Sequence, residues 1–408
     1  MKKLGDVIRG CLAAAMIILC GAVAPQQVGA CTSAIVGIQR GAGGRWLLWK
    51  HRDSGHPDNY VRRIAATDST PSYVALFNAA DTASLESWIG FNEAGFAVMN
   101  TATYNLPAPA KTWQDREGFI MSGALATCRT LDDFRRLLVS YPGKRGVQAN
   151  FGAIDAEGNG AYFETSDAGV EEFPLDSLTG IATRTNYSFR GTAEPLAGLK
   201  RHTSELHQLD SLLLIDRPWA PAGKLGAEDF TEVLSRSFLL PVYLPDRDKN
   251  PPKENPEAEA GISAGYFTNP YGQRAYQVCD LLDGQVKTLT DNGDVISRHN
   301  SSASVVIEGP LPGEDPAKTI IMWTLIGFPA LSTVEAVTLD SVPASLLPSP
   351  ATGRSALADS VAALRRKAFI PVAGKKRKFR FNLPYLRQAV PAARGRSLPH
   401  YAPARSRR

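Results

Sequence analysis

The stretch QVGACTSAIVG, residues 27 to 37, constrains this chain more than any other part of it. Ahead of it lie a basic start (Lys2, Lys3, Arg9), an apolar run from Cys11 to Ala24, and Pro25. Val28 and Ala30 are the small residues that a signal peptidase selects before a cut, so residues 1–30 read as an export signal. The apolar run is short of the roughly 20 residues a membrane span needs. A cut after Ala30 makes Cys31 the first mature residue, carrying both a thiol and a free α-amine. The sequence then continues at once as TSAIVGIQ, a β-branched, apolar strand. Any fold of this chain therefore has to place a chain terminus at the head of a core strand.

A second reading competes at the same residue. VGAC also fits a loose lipoprotein site, in which Cys31 is lipidated and anchors an inert binding protein to a membrane. Lipoproteins usually continue with a polar tether, whereas a core strand follows here. The expectation is an exported protein, periplasmic or extracellular, with lipid anchoring as the competing case.

The chain has 408 residues and 44% hydrophobic content, enough for one large core. Of five cysteines, Cys11 and Cys20 leave with the signal. Cys31, Cys128 and Cys279 remain, an odd count that flags at least one free thiol. Cys128 and Cys279 read equally as a pair or as two thiols. The net charge of +5 is uneven: from Val361 onward there are 14 Lys and Arg and no acid. Three parts follow: the signal (1–30), a folded body (31–345), and a Pro/Ala-rich linker with a basic tail (346–408). The tail reads as a disordered extension, with weak contact to an anionic surface as its functional reading.

Within the body, strands are expected at SAIVGI, RWLLWKH, SYVALFN, ESWIGFN, GFAVMN, FGAID and AYFET. Helices are expected at REGFIMSGALATC, TLDDFRRLLVSY, EPLAGLKRHTSELHQL and AEDFTEVLSRSF. Helices falling between groups of strands indicate an α+β body.

A free N-terminal cysteine can supply nucleophile and base from one residue, because an α-amine has an ordinary pKa of roughly 7.7–8.0. The arrangement needs a carboxylate to orient the amine, donors for an oxyanion, and a cation near the thiolate. Asp53, expected just past the second strand beside Lys50 and Arg52, is a candidate carboxylate; a charged turn is its plain reading. Asn186, in TRTNYSF, is a candidate donor or a turn cap. Arg298, in SRHNSS, is a candidate cation or a surface residue. His51, Asp53, His56 and Asp58 form a weaker metal-site candidate, without HExxH or CxxC. There is no P-loop or dinucleotide fingerprint, so no cofactor is expected, and the body gives no sign of nucleic-acid binding.

These residues, together with GFNEAGFAVMNTATYNL, ANFGAIDAEGNGAYFET and DPAKTIIMWTLIGFP, resemble the N-terminal-nucleophile (Ntn) hydrolases. More narrowly, the chain looks like the linear amide C–N hydrolases. These include the penicillin V acylase and bile salt (choloylglycine) hydrolase group and the acyl-coenzyme A:6-aminopenicillanic acid acyltransferase group, the latter closest in look. The resemblance covers most of residues 31–340. It implies a four-layer αββα sandwich with Cys31 as nucleophile, Asp53 holding the α-amine, Asn186 in the oxyanion hole and Arg298 as a late active-site arginine. Lys50 falls where acylases usually carry a cation, and Asn100 and Thr101 fall near a backbone donor to the oxyanion. Lys50, Arg52, Asn100 and Thr101 are thus the substrate-binding candidates. His51 departs from the family, which more often has Asn there. The implied substrate is a small N-acyl amide, with acyl transfer to an acceptor amine as the alternative reaction. Oligomeric state is left open.

Overall fold

The computed structural model describes residues 30–406 except 80–84, 108–114, 142–144, 176–178, 193–196, 244–275, 284–294 and 376–377. The proposed export signal, apart from Ala30, lies outside the described residues.

The chain opens with an antiparallel pair, β1 (Ala30–Val36) and β2 (Leu47–Asp53). It then builds a second sheet in simple meander order from β3 (Asn59–Ile64), β4 (Tyr73–Asn78), β5 (Ser87–Asn92), β6 (Ala97–Ala102), β7 (Gln148–Ile154), β8 (Gly160–Ser166) and β9 (Gly169–Pro174). Helices α1 (Glu117–Thr127) and α2 (Leu131–Val139) are inserted between β6 and β7. Thr130 caps α2 in a capping box with Asp133. The chain returns to the first sheet at β10 (Ile181–Arg184), and α3 (Leu199–Leu213) follows. A small pair, β11 (Leu239–Tyr243) and β12 (Tyr276–Asp280), precedes β13 (Ser301–Glu308), β14 (Ile321–Ile326) and β15 (Glu335–Val337). The first sheet thus has the order β10-β1-β2-β13-β14-β15. Helix α4 (Ala356–Ala368), the hairpin β16 (Phe369–Pro371) and β17 (Phe379–Phe381), α5 (Leu383–Ser397) and α6 (Tyr401–Arg405) complete the chain.

Three apolar clusters fix the layers. Ile35, Leu48, Val305 and Met322 of the first sheet pack on Val61, Val74, Ile89, Phe91 and Met99 of the second. The far face of the second sheet, with Tyr60, Phe77, Phe151 and Phe163, is covered by Ile120, Leu125, Phe134 and Leu138 of α1 and α2. The far face of the first sheet, with Ala34, Val36, Trp49 and Trp323, is covered by Leu209, Leu212 and Leu213 of α3 and by Phe230 and Leu234. The layer order is helix, sheet, sheet, helix: an α+β, αββα sandwich. Both sheets are buried on two faces, which is why their strands read as continuous apolar runs instead of clean alternations.

The basic tail is not the unpacked extension expected from sequence. Val361, Ala368, Phe369, Phe381, Leu383, Leu386 and Val390 share a core with Phe238, Phe328 and Leu331 of the body. Tyr401 packs against Trp323 with the rings tilted at 36° and their centroids 4.6 Å apart. Its hydroxyl donates to Glu232 Oε1 at 2.9 Å. Arg405 pairs with Glu228 at 2.6 Å and Glu308 at 2.9 Å. Composition misled because the acidic partners of the tail lie far earlier in the chain. The apolar spacing of Leu383, Leu386, Val390 and Ala393 is helical, and it is diluted by the arginines between.

Candidate active site

Strand register sets the geometry. In the β1–β2 ladder Ala30 lies opposite Asp53, Cys31 opposite Arg52, and Ser33 opposite Lys50. Side chains alternate between faces along a strand. Cys31, Lys50 and Arg52 therefore share the face of Ile35 and Leu48, between the two sheets. His51 and Asp53 share the face of Trp49, toward the helices. Cys31 is 6% exposed.

Asp53 is the last residue of β2, not a turn residue beyond it. Its Oδ2 accepts from Arg298 Nε at 3.0 Å and Nη2 at 2.6 Å. Its Oδ1 accepts from Ser301 Oγ at 2.6 Å. Arg298 Nη2 also donates to the carbonyl of Ala30 at 3.2 Å, so the pair sits against the peptide unit that precedes Cys31. His51 Nε2 meets Ser301 Oγ at 2.9 Å. Burial lowers the His51 imidazole to about 4, so the ring is neutral at ordinary pH.

Asn186 follows β10 and reaches the same terminus. Its Oδ1 accepts from the backbone N–H of Cys31 at 3.0 Å and from Arg201 Nη2 at 2.6 Å. Its Nδ2 donates to Ala102 O at 2.7 Å. Two donors on the oxygen fix which way the amide points. One Nδ2–H is used, and the second has no partner among the described residues. Arg201, in the first turn of α3, was missed by the sequence reading. Its Nη1 holds Cys31 O at 2.8 Å and Thr32 Oγ1 at 3.1 Å. The available signal was an arginine in helical register (i, i+8, i+11) with Leu209 and Leu212, on the face of α3 that meets the sheet.

On the inter-sheet face, Lys50 Nζ donates to Trp88 O at 2.9 Å and Asn100 Oδ1 at 2.5 Å. Asn100 Nδ2 continues the chain to Glu117 Oε2. Burial lowers the Lys50 ammonium to about 8, opposed by the nearby Cys31 thiol. Burial also holds the Glu117 carboxyl well above the usual range, with Asp115 adding to the effect. Arg52 donates to Asn59 Oδ1 at 2.9 Å, and its guanidinium lies 4.6 Å over the Trp88 ring. Thr101 does not join this group; its Oγ1 accepts from Asn150 Nδ2 at 3.2 Å. Tyr104, not expected from sequence, feels both Cys31 and Glu117.

The four residues of the metal-site candidate do not converge. His56 is exposed while His51 turns inward to Ser301, and no group of three His, Cys, Asp or Glu suited to a metal occurs among the described residues. Cys128 and Cys279 are both free thiols. Burial pushes the Cys128 thiol up to about 11, which leaves it unreactive.

No family model and no curated protein sequence matches the chain. Among solved structures it is similar to penicillin V acylase from Agrobacterium tumefaciens, with a TM-score of 0.37 and 13% identity over 76% of this chain and 87% of that one. It is also similar to a mutant conjugated bile acid hydrolase from Clostridium perfringens, with a TM-score of 0.37, 10% identity, and coverage of 77% and 93%. An N-acylethanolamine-hydrolyzing acid amidase ortholog from Caenorhabditis elegans gives 0.33 and 12%, covering 44% of this chain and 79% of that one.

Proposed function

We propose that the chain is exported, cut after Ala30, and acts as an amide hydrolase with Cys31 as an N-terminal nucleophile. The observation that carries this reading is the hydrogen bond from the Cys31 backbone nitrogen to Asn186 Oδ1 at 3.0 Å. After the cut that nitrogen is an α-amine, already seated against an acceptor and beside its own thiol.

The chemistry then runs as two half-reactions. The α-amine takes the thiol proton and the sulfur attacks the carbonyl carbon of an N-acyl amide. The unused Nδ2–H of Asn186 donates to the developing oxyanion. The C–N bond breaks as the ammonium returns its proton to the leaving amine, and a thioester forms on Cys31. Water, deprotonated by the same amine, attacks the thioester and releases the acid. An acceptor amine in place of water would make the same enzyme an acyltransferase. Asp53, held by Arg298, steadies the terminus. Lys50 and Arg52 supply positive charge on the thiol face. The substrate class is a small molecule with a linear N-acyl amide bond. Burial of the Cys31 side chain in the inter-sheet core supports this reading over a lipid anchor, since a lipidated sulfur has to leave the core.

The test has two parts. N-terminal mass analysis should find a bare Cys31 as the first residue. A panel of N-acyl substrates should then be hydrolysed by the processed protein and not by Cys31→Ser. A mature start elsewhere, or a lipid mass on Cys31, would sink the mechanism.

A further inference from the structure

We infer that Arg201 is a positioning residue of the Cys31 site, orienting and polarising the Asn186 amide with a positive charge that no carboxylate contacts. The inference rests on the reading of Cys31 as nucleophile and adds a residue to that site.

The guanidinium is 2% exposed. Its three partners are Cys31 O, Thr32 Oγ1 and Asn186 Oδ1, all neutral acceptors. Buried arginines ordinarily sit against a carboxylate. Arg201 makes no ion pair among the described residues. Glu205 stands one turn further along α3, at the spacing where an ion pair would form. Yet both Glu205 oxygens are buried without a partner, and so is Arg201 Nε. Burial holds the Glu205 carboxyl well above its usual range, toward the neutral acid, against the opposing charge of Arg201. Burial lowers Arg201 only to about 10, so it stays charged near neutral pH.

Three effects follow. With Oδ1 clamped between the Cys31 N–H and Arg201, the carboxamide cannot flip, and Nδ2 keeps its N–H groups on the opposite side. Positive charge at Oδ1 strengthens the amide as a donor, because hydrogen bonds in a chain polarise one another. The same charge favours an amine that is unprotonated before it takes the thiol proton, and the thiolate that this transfer leaves. Arg201 does this through Asn186 and the strand backbone, without meeting the substrate. The other charged or titratable groups facing Cys31 are Lys50 and Arg52 from β2 and Tyr104 from the loop after β6. Asp53 and Arg298 lie within electrostatic reach of Arg201.

The experiment is alkylation of Cys31 by iodoacetamide, followed by mass spectrometry across pH 6 to 10 on the processed full chain. The comparison covers wild type, Arg201→Met, Arg201→Lys and Glu205→Gln. Arg201→Met should move the alkylation profile up by about one pH unit, which is about tenfold slower alkylation at pH 7. Arg201→Lys keeps the charge but loses the planar fork. It should keep the wild-type profile yet lower kcat by about tenfold with KM unchanged. Glu205→Gln, isosteric with a protonated acid, should leave the profile where it is. A folded Arg201→Met with the wild-type profile overturns the proposal. So does a Glu205→Gln that shifts it or an Arg201→Lys with the wild-type kcat, and Arg201→Lys and Glu205→Gln decide the matter if Arg201→Met does not fold. Alkylation needs no substrate, so the profile is read whether or not any amide is hydrolysed.

Discussion

Asp53 and Arg298 are 245 positions apart in sequence and meet through two hydrogen bonds to one carboxylate oxygen, at 3.0 and 2.6 Å. The pair is buried, and it closes over the carbonyl of Ala30. Removing one member of a buried pair leaves the other charge uncompensated, which costs about 3 kcal/mol. Asp53→Asn and Arg298→Met should each lower stability by about that much. The double variant should lose less than the sum. Urea unfolding of the four proteins measures the coupling, and strict additivity would show that the two do not interact.

Asn186→Ala should lower kcat by about 10²- to 10³-fold with little change in KM, as loss of one oxyanion donor does. Asn186→Asp is the sharper variant. It keeps an acceptor for the Cys31 nitrogen and for Arg201, so it should fold, but it has no Nδ2–H to donate. A near-wild-type rate in Asn186→Asp rules out the oxyanion role.

The C-terminal helices belong to the fold. Tyr401→Ala strips an aromatic ring from Trp323 and should cost about 3 kcal/mol. Tyr401→Phe keeps the ring and loses the hydroxyl bonds to Thr231 and Glu232, costing about 1 kcal/mol. Truncation after residue 381 should abolish soluble expression, because it uncovers Trp323 and strands Glu228. Thermal melting checks the first two. A truncated chain that melts like the full one would return the tail to the unpacked state.

Two buried histidines should each make stability fall with acid well above the carboxylate range. His51 is lowered to about 4 and His202 to about 3, both by burial. Unfolded, each ordinarily takes up a proton near pH 6.5. The unfolded state thus binds up to two more protons below that pH. The contribution of these two rings is fully present above pH 6.5 and falls by up to about 3 kcal/mol per pH unit toward pH 4, opposed by Glu117 and Glu205, whose raised carboxyls keep protons that the unfolded chain loses above the usual carboxylate range. Urea midpoints between pH 7 and 5 measure the slope, and replacing His202 with Gln should change it by about 1.4 kcal/mol per pH unit in the direction of greater acid stability. A His202→Gln variant with the wild-type slope would mean that this ring is not held neutral.

Much of this was legible in one dimension. The β-branched run after Cys31, the WLLWKH strand, the AEGNG hairpin and the Thr130-capped helix are local signals. Each depends on side-chain period or on a turn residue's own backbone preference. Asp53 and Asn186 could be singled out because each follows an apolar strand within a few residues. The tertiary structure decided what local signals cannot carry. Whether the Asn186 amide turns its oxygen or its nitrogen to Cys31 depends on Arg201, which reaches it from α3. Thr101 and Asn100 are neighbours in sequence, but one bonds across a ladder to Asn150 and the other links Lys50 to Glu117. The tail folds because Glu228, Glu232 and Glu308 supply its missing acid, and a composition count over residues 361–408 contains none of them. Sequence fixes which groups a chain owns and the period of its elements. Charge compensation and hydrogen-bond direction are set only when distant segments share a space with little water.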